Sequence, residues 1–314
     1  MPALDLVSDD APALRRLVTE TLAAWPDHDR FLTRRFEGGV AAPTTEEGAH
    51  AELLAEAILR LAGDTLPTVI GDYQWMCARV LEEELHFRRT GGYRRTSFAE
   101  ALTEVYQNRE YMGRYMNGLL LSQVLWGNHT AVSAWYDRVF LGNNPPGHRH
   151  LEVGPGHGLL LWLAARDADC GEATGWDISE TSLEATRRCL DSLGVDRPVR
   201  LQKANVLEPL PKEDRFDSIV VSEILEHLEA PGLALRHLAE VLEPETGRIF
   251  VNMPVNSPAP DHIFLLREPE EVIKLVEDAG LTVHESAVFP ATGYTEAQAR
   301  RHSLTMSVAL IATR

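Results

Sequence analysis

Glu223, Glu226 and His227 bring two carboxylates and an imidazole into one short stretch, Ser222-Glu223-Ile224-Leu225-Glu226-His227-Leu228, with the spacing E-x-x-E-H. On a helical turn Glu223 and Glu226 are neighbours, and Glu223 and His227 stack four apart. A second polar stretch runs Asn252-Met253-Pro254-Val255-Asn256-Ser257-Pro258-Ala259-Pro260-Asp261-His262 and is stiffened by its prolines. Two glutamates and two histidines, Glu223, Glu226, His227 and His262, make an oxygen/nitrogen set suited to a divalent Mg, Mn, Zn or Fe ion. Without a metal the same groups line a polar pocket. His227 can then act as a general base on a hydroxyl, and the two glutamates can orient an ammonium or guanidinium and take its proton. Glu223, Glu226 and His227 are the catalytic candidates under either chemistry.

These groups need a scaffold, and the clearest sign of one lies upstream. Leu151-Glu152-Val153-Gly154-Pro155-Gly156-His157-Gly158 is a short apolar strand running into a glycine-rich turn. The apolar helix pattern Leu159-Leu160-Leu161-Trp162-Leu163-Ala164-Ala165 follows directly. Glycines at such a turn let the backbone take positive φ and approach a ligand. A dinucleotide fold wants its third glycine three places after the second. That place is Leu159, and the third glycine comes one residue early, at Gly158.

The form E-x-G-x-G-x-G resembles motif I of the class I S-adenosylmethionine (SAM) methyltransferases. The resemblance implies SAM as cofactor and a Rossmann-like, seven-stranded α/β sheet. It places the methionine part of SAM over Gly154, Pro155 and Gly156, with Glu152 facing the SAM ammonium. Strand two ends in Gly175-Trp176-Asp177, and Asp177 stands where the family accepts both ribose hydroxyls. Ile178 would flank the adenine. Asn205, where the family usually has Asp, would meet the adenine amino group, with Val206 donating from its backbone. Phe216-Asp217-Ser218-Ile219-Val220-Val221 looks like the family's fourth strand and leaves Ser222 beside the methionine end. The E-x-x-E-H spacing resembles the ubiquinone-pathway O-methyltransferases and the plant small-RNA 2′-O-methyltransferases. That likeness implies Glu223, Glu226, His227 and His262 as ligands of a divalent ion, with Asp261 as a substitute.

Around these motifs the text alternates strand and helix from His150 to Ala312, the pattern of a mostly parallel sheet covered on both faces. The turn cluster Gly142-Asn143-Asn144-Pro145-Pro146-Gly147 marks a break. It separates a helical lid or dimerisation domain, residues 1–144, from a SAM-binding catalytic domain, residues 145–314. Tyr111 and Tyr115, four apart on one helical face, are expected to reach the substrate, with Tyr106, Met112, Met116, Trp126 and His129 nearby. Residues 27–45 are expected to be loop-rich. So is Gly293-Tyr294 through Arg300-Arg301-His302, where Arg300 or Arg301 could hold a substrate carboxylate.

The formal charge of −17, from 47 acidic and 30 basic residues, repels phosphate backbones and speaks against a nucleic-acid partner. Cys77, Cys170 and Cys189 lack C-x-x-C spacing, which fits a reducing compartment. No leader opens the sequence, and no apolar run approaches the ~20 residues that span a bilayer. The expectation is therefore a cytoplasmic enzyme without a membrane partner, forming a homodimer through its N-terminal helices. A loose likeness to actinobacterial natural-product methyltransferases, such as the nitrosourea-pathway arginine N-methyltransferase, implies a small-molecule methyl acceptor. The first expectation is N-methylation of an amine or guanidine in secondary metabolism. The alternative is metal-assisted O-methylation of a catechol, diol or hydroxy acid.

Overall fold

A computed structural model describes residues 1–37, 42, 44–211 and 214–314, with residues 104 and 106 described by backbone alone. The side chain of Tyr106 thus lies outside the described residues. Seven strands form one sheet: β1 (His148–Val153), β2 (Cys170–Asp177), β3 (Val199–Lys203), β4 (Ser218–Ser222), β5 (Arg248–Val255), β6 (Thr282–Pro290) and β7 (Met306–Thr313). Their order is β3-β2-β1-β4-β5-β7-β6. The first five run parallel, and β7 inserts antiparallel between β5 and β6. The order reverses between β1 and β4, and a crevice opens outside the carboxyl ends of strands at such a switch point. Both the glycine turn after β1 and the E-x-x-E-H stretch after β4 emerge there.

Side-chain alternation sorts each central strand between two cores. Ile219, Val221 and Val251 face a core shared with Leu235, Leu238 and Val276. Those three sit on the helices α10 (Pro231–Val241) and α11 (Pro269–Asp278). Val220, Phe250 and Ile311 face the other core. There they meet α8 (Leu159–Arg166), α9 (Glu180–Leu193) and the N-terminal helices. Those helices are α1 (Pro12–Ala24), α2 (Asp29–Phe36), α3 (Glu46–Ala62), α4 (Leu66–Thr90), α6 (Arg109–Leu125) and α7 (Gly127–Trp135); the short α5 (Phe98–Ala101) lies outside this core. Trp135, Tyr136 and Phe140 stack around Phe250 with ring centroids 5.7, 5.2 and 5.5 Å away. The helical half therefore shares one continuous apolar core with the sheet.

Two segments differ from expectation. Residues 27–45 contain α2, whose Leu32 and Phe36 are fully buried, so tertiary packing stabilises a helix in a polar, weakly periodic stretch. The segment expected as a substrate-side loop holds α12 (Glu296–His302), started by a capping box between Thr295 and Gln298. On it Arg300 is bound by Glu268, Glu270 and Glu296 at the surface, which takes it away from any substrate carboxylate.

Candidate active site

A cavity of about 930 Å³ occupies the crevice. That is room for a cofactor and an acceptor together, since ligand pockets run to ~1,000 Å³. Its floor is the glycine turn. Gly154 has φ of 67°, and a Cβ there would run into the Ile224 side chain, so the position requires glycine twice over. Met116 of α6 lies over Gly156, which brings the helical half directly above the turn. Pro155 completes the floor.

Glu152 ends β1 inside the cavity wall, and its Oε2 has no hydrogen-bond partner. Burial, with the nearby Asp177 charge adding to it, raises its carboxyl to about 8. A cationic ligand group is what such a carboxylate lacks. Relative to the wild type, Glu152→Gln should gain stability as pH rises from about 4.5 to about 8 in ligand-free protein. The reason is that the folded wild type holds its proton where the unfolded chain has released it, so its stability falls across that window. Urea midpoints at pH 5 and pH 8 check this; equal differences at both would refute it.

Asp177 lines the same cavity from the end of β2 and accepts the Ser179 N–H on Oδ1 at 2.8 Å. Burial raises its carboxyl despite that bond. Ile178 is 49% exposed at the cavity, an apolar face open to a flat ring. Asn205 closes an Asx turn, taking the Leu207 N–H on Oδ1 at 3.0 Å and donating to Glu208. Only the second lone pair of that oxygen remains for an adenine amino group. Val206 is buried against the cavity. Ser222, ending β4, accepts from Asn252 Nδ2 at 3.0 Å.

The E-x-x-E-H stretch is not a continuous helical turn. Glu223 takes φ of 53°, and a short 3₁₀ turn covers Leu225–His227. The left-handed residue turns Glu223 toward β5, where its Oε1 accepts from Asn252 Nδ2 at 2.8 Å. Among the described residues, the side chains that gather as a ligand set are therefore Glu226, His227 and His262, with ligand atoms within 4.8 Å of one another. Glu223 and Asp261, both expected as ligands, stand beside that set.

The histidine protons decide what this set can do. His227 Nδ1 lies 3.0 Å from the Asp261 carbonyl, and His262 Nδ1 lies 2.6 Å from the Ser257 carbonyl. A carbonyl only accepts, so both Nδ1 atoms carry the proton and both Nε2 atoms carry lone pairs. Each Nε2 sits 3.8 Å from Glu226 Oε1. Glu226 is fully buried, and beyond its contact with the Glu223 carboxyl neither of its oxygens has a hydrogen-bond partner. Burial and then the Glu223 charge push its carboxyl well up; Glu223 itself is raised to about 7, by burial. Two imidazole lone pairs facing a buried carboxylate suit a divalent cation, and carbonyls that hold the far nitrogens are the usual support of such ligands.

Tyr115 of α6 reaches the site, donating its hydroxyl to Asp261 Oδ1 at 3.1 Å. Burial would raise the Asp261 carboxyl, but His227, His262 and Tyr115 outweigh it and hold it low. Tyr111 does not line the cavity; its ring packs edge-on against Trp75 at 4.8 Å, one residue of helix away from the wall. His129 lines the wall from α7, with Nδ1 bound to Ser122 at 3.0 Å. Burial lowers it to about 4. Three participants escaped the sequence reading as site residues: Asn252, His157 and Tyr93. Asn252 had a signal, a polar side chain breaking the apolar run of β5. His157 sits inside the glycine motif, with its Nδ1 accepting the Leu159 N–H at 3.2 Å. Tyr93 lies 164 positions before the Ser257 N–H it accepts, a contact that no local pattern announces.

Among known proteins, the family profile described as "Methyltransferase domain" matches residues 151–249. Over 124 residues the chain is 35% identical to a demethylluteothin O-methyltransferase of Streptomyces thioluteus, covering 38% of this chain and 50% of that protein. Over 131 residues it is 30% identical to a ubiquinone biosynthesis O-methyltransferase of Alkalilimnicola ehrlichii, covering 41% and 51%. The chain thus spans about half the length of the curated relatives it matches. The solved structure of a mitomycin 7-O-methyltransferase superposes with a TM-score of 0.51 at 19% identity, covering 81% of this chain and 72% of that one, a likeness of fold alone. No described helix is long and apolar enough to cross a membrane. The family profile lies across the glycine turn, Asp177 and the Glu223-to-His227 stretch, so residues 151–249 of this chain match a methyltransferase domain.

Proposed function

We propose that this chain transfers a methyl group from SAM to a hydroxyl of a small metabolite, a catechol, vicinal diol or hydroxy acid, with Glu226, His227 and His262 holding a divalent ion. One observation carries the reading. His227 and His262 line the cavity that the glycine turn floors, and their two Nε2 lone pairs converge on the fully buried Glu226 carboxyl. When bound, the ion supplies a positive charge that lowers the acceptor hydroxyl's pKa. The relatives named above are O-methyltransferases, which agrees with this chemistry.

Methyl transfer from a sulfonium is an in-line displacement, and the chain's task is to hold an acceptor oxygen ~3–3.5 Å from the methyl carbon. Glu152 would hold the SAM ammonium and Asp177 its ribose, with Ser222 lining the same cavity at the end of β4. Apolar side chains of α6, Met112 and Met116, cover the acceptor side and exclude water. The acceptor proton would leave toward Glu223, which lines the cavity and whose carboxyl burial raises above the ordinary carboxylate range.

A second reading rests on the carboxyl groups of Glu223 and Asp261, which line the cavity, with the buried Glu226 beside them. They would suit an ammonium or guanidinium, and N-methylation of an arginine-like acceptor would follow. One experiment divides the two. Protein stripped by exhaustive chelation is incubated with labelled SAM and panels of catechols, hydroxy acids, amines and guanidines, with and without added Mg, Mn, Zn or Fe. Ion-dependent labelling of hydroxyl acceptors is expected. Full activity on amines or guanidines after chelation would overturn the first reading in favour of the second.

A further inference from the structure

Both histidines of the site owe their tautomer to one short loop, residues 256–261, and the helical half grips that loop at two points. Tyr93, which follows α4, accepts the Ser257 N–H on its hydroxyl at 3.0 Å. The carbonyl of the same Ser257 takes the His262 Nδ1 proton at 2.6 Å. Tyr115, on α6, donates to the Asp261 side chain at 3.1 Å. The carbonyl of the same Asp261 takes the His227 Nδ1 proton at 3.0 Å. Each tyrosine thus anchors the one residue whose carbonyl orients one imidazole. The Tyr93 ring also packs edge-on against His262 at 6.0 Å.

We propose that Tyr93 and Tyr115 are positioning residues, through which the N-terminal helices fix the Nδ1–H tautomers of His262 and His227 and aim both Nε2 atoms at Glu226. The loop has no regular secondary structure between β5 and α11. Pro258 and Pro260 restrict its φ angles but contribute no backbone donors. Its ends are secured separately, by Asn256 on Leu266 and Arg267 and by Ile263 and Phe264 on the Glu226 carbonyl. The tyrosines act between these anchors, at the two residues whose carbonyls orient the imidazoles. A carbonyl that drifts lets its histidine rotate or exchange tautomer, and the Nε2 lone pair leaves the site. The consequence is that the helical half completes the site chemically as well as covering it.

This inference rests on the ligand set proposed above, so the test reads the histidines with and without an ion. In full-length protein, Tyr93→Phe and Tyr115→Phe each remove one hydroxyl and keep the ring. Titration with Zn or Mn alone, followed calorimetrically, should show affinity falling about tenfold in each variant, the size expected for losing an outer-shell support. In ion-free protein, ¹⁵N-edited NMR should show His262 moving from pure Nδ1–H toward a tautomer mixture in Tyr93→Phe, and His227 doing so in Tyr115→Phe. SAM affinity should stay within twofold, which separates a local effect from unfolding. Unchanged tautomers in both variants would overturn the proposal, whatever the ion does. If wild-type protein takes up no ion, the ligand-set reading fails, and the tautomer shifts still decide the role of the tyrosines.

Discussion

Glu226→Ala should lower turnover about 10³-fold while SAM affinity stays within twofold. The drop corresponds to about 4 kcal/mol of transition-state stabilisation, the scale of a metal-held or preorganised charge at the reacting oxygen. SAM affinity is spared because the groups placed around the donor, Glu152, Asp177 and the glycine turn, do not contact Glu226. Paired measurements of initial rate and calorimetric SAM binding check this, and wild-type turnover would remove the cluster from catalysis. The same site should give the opposite sign in stability. Glu226 is a fully buried carboxyl crowded by that of Glu223, and a poorly satisfied buried polar group costs about 1–3 kcal/mol in ion-free protein. Glu226→Met keeps the volume and removes that penalty, so ion-free melting temperature should rise. Added Zn or Mn should raise the wild-type melting temperature and leave that of Glu226→Met unchanged.

Asp177→Ala should weaken SAM binding by ~1.5–3 kcal/mol, roughly 10- to 150-fold, the cost of one charge-assisted contact to a ribose. Asp177 also accepts the Ser179 N–H, just before α9, so the alanine variant loses a local turn as well. Asp177→Asn separates the two effects. Its side-chain oxygen can still take the Ser179 N–H, while the charge that strengthens a bond from the ribose is gone. The asparagine variant should unfold at the wild-type urea concentration and bind SAM with intermediate affinity. SAM binding unchanged in both variants would reject the ribose assignment and leave Asp177 as a capping residue.

Much of the sheet was legible because its signals are local. The Ile219-Val220-Val221 run reads as a doubly covered strand, and each of its three side chains is fully buried. Ser179 reads as an N-cap, and its side chain accepts the Ser182 N–H ahead of α9. The failures share another cause. α2 has few apolar residues of its own and depends on burying Leu32 and Phe36 against distant partners. The Thr295–Gln298 capping box was present in the text, but Gly293-Tyr294 and the basic tail drew the reading toward a loop. Tyr111 and Tyr115 share a helical stripe, yet only Tyr115 meets the cavity, because Trp75 of α4 covers the other.

The sequence by itself determined the glycine turn, the acids at the carboxyl ends of β1 and β2, the strand–helix alternation and the residue types at the rim. Periodicity, turn chemistry and motif spacing are properties of neighbouring residues, and neighbours are what a sequence displays. The tertiary structure alone decided which rim groups act together. Glu223 is turned to Asn252 by a left-handed backbone, and His262 joins Glu226 and His227 from a loop about 35 positions away. Tyr93 and Tyr115 arrive from the other half of the chain to orient them. Those contacts join parts of the chain that only the packing of helices onto the sheet brings together.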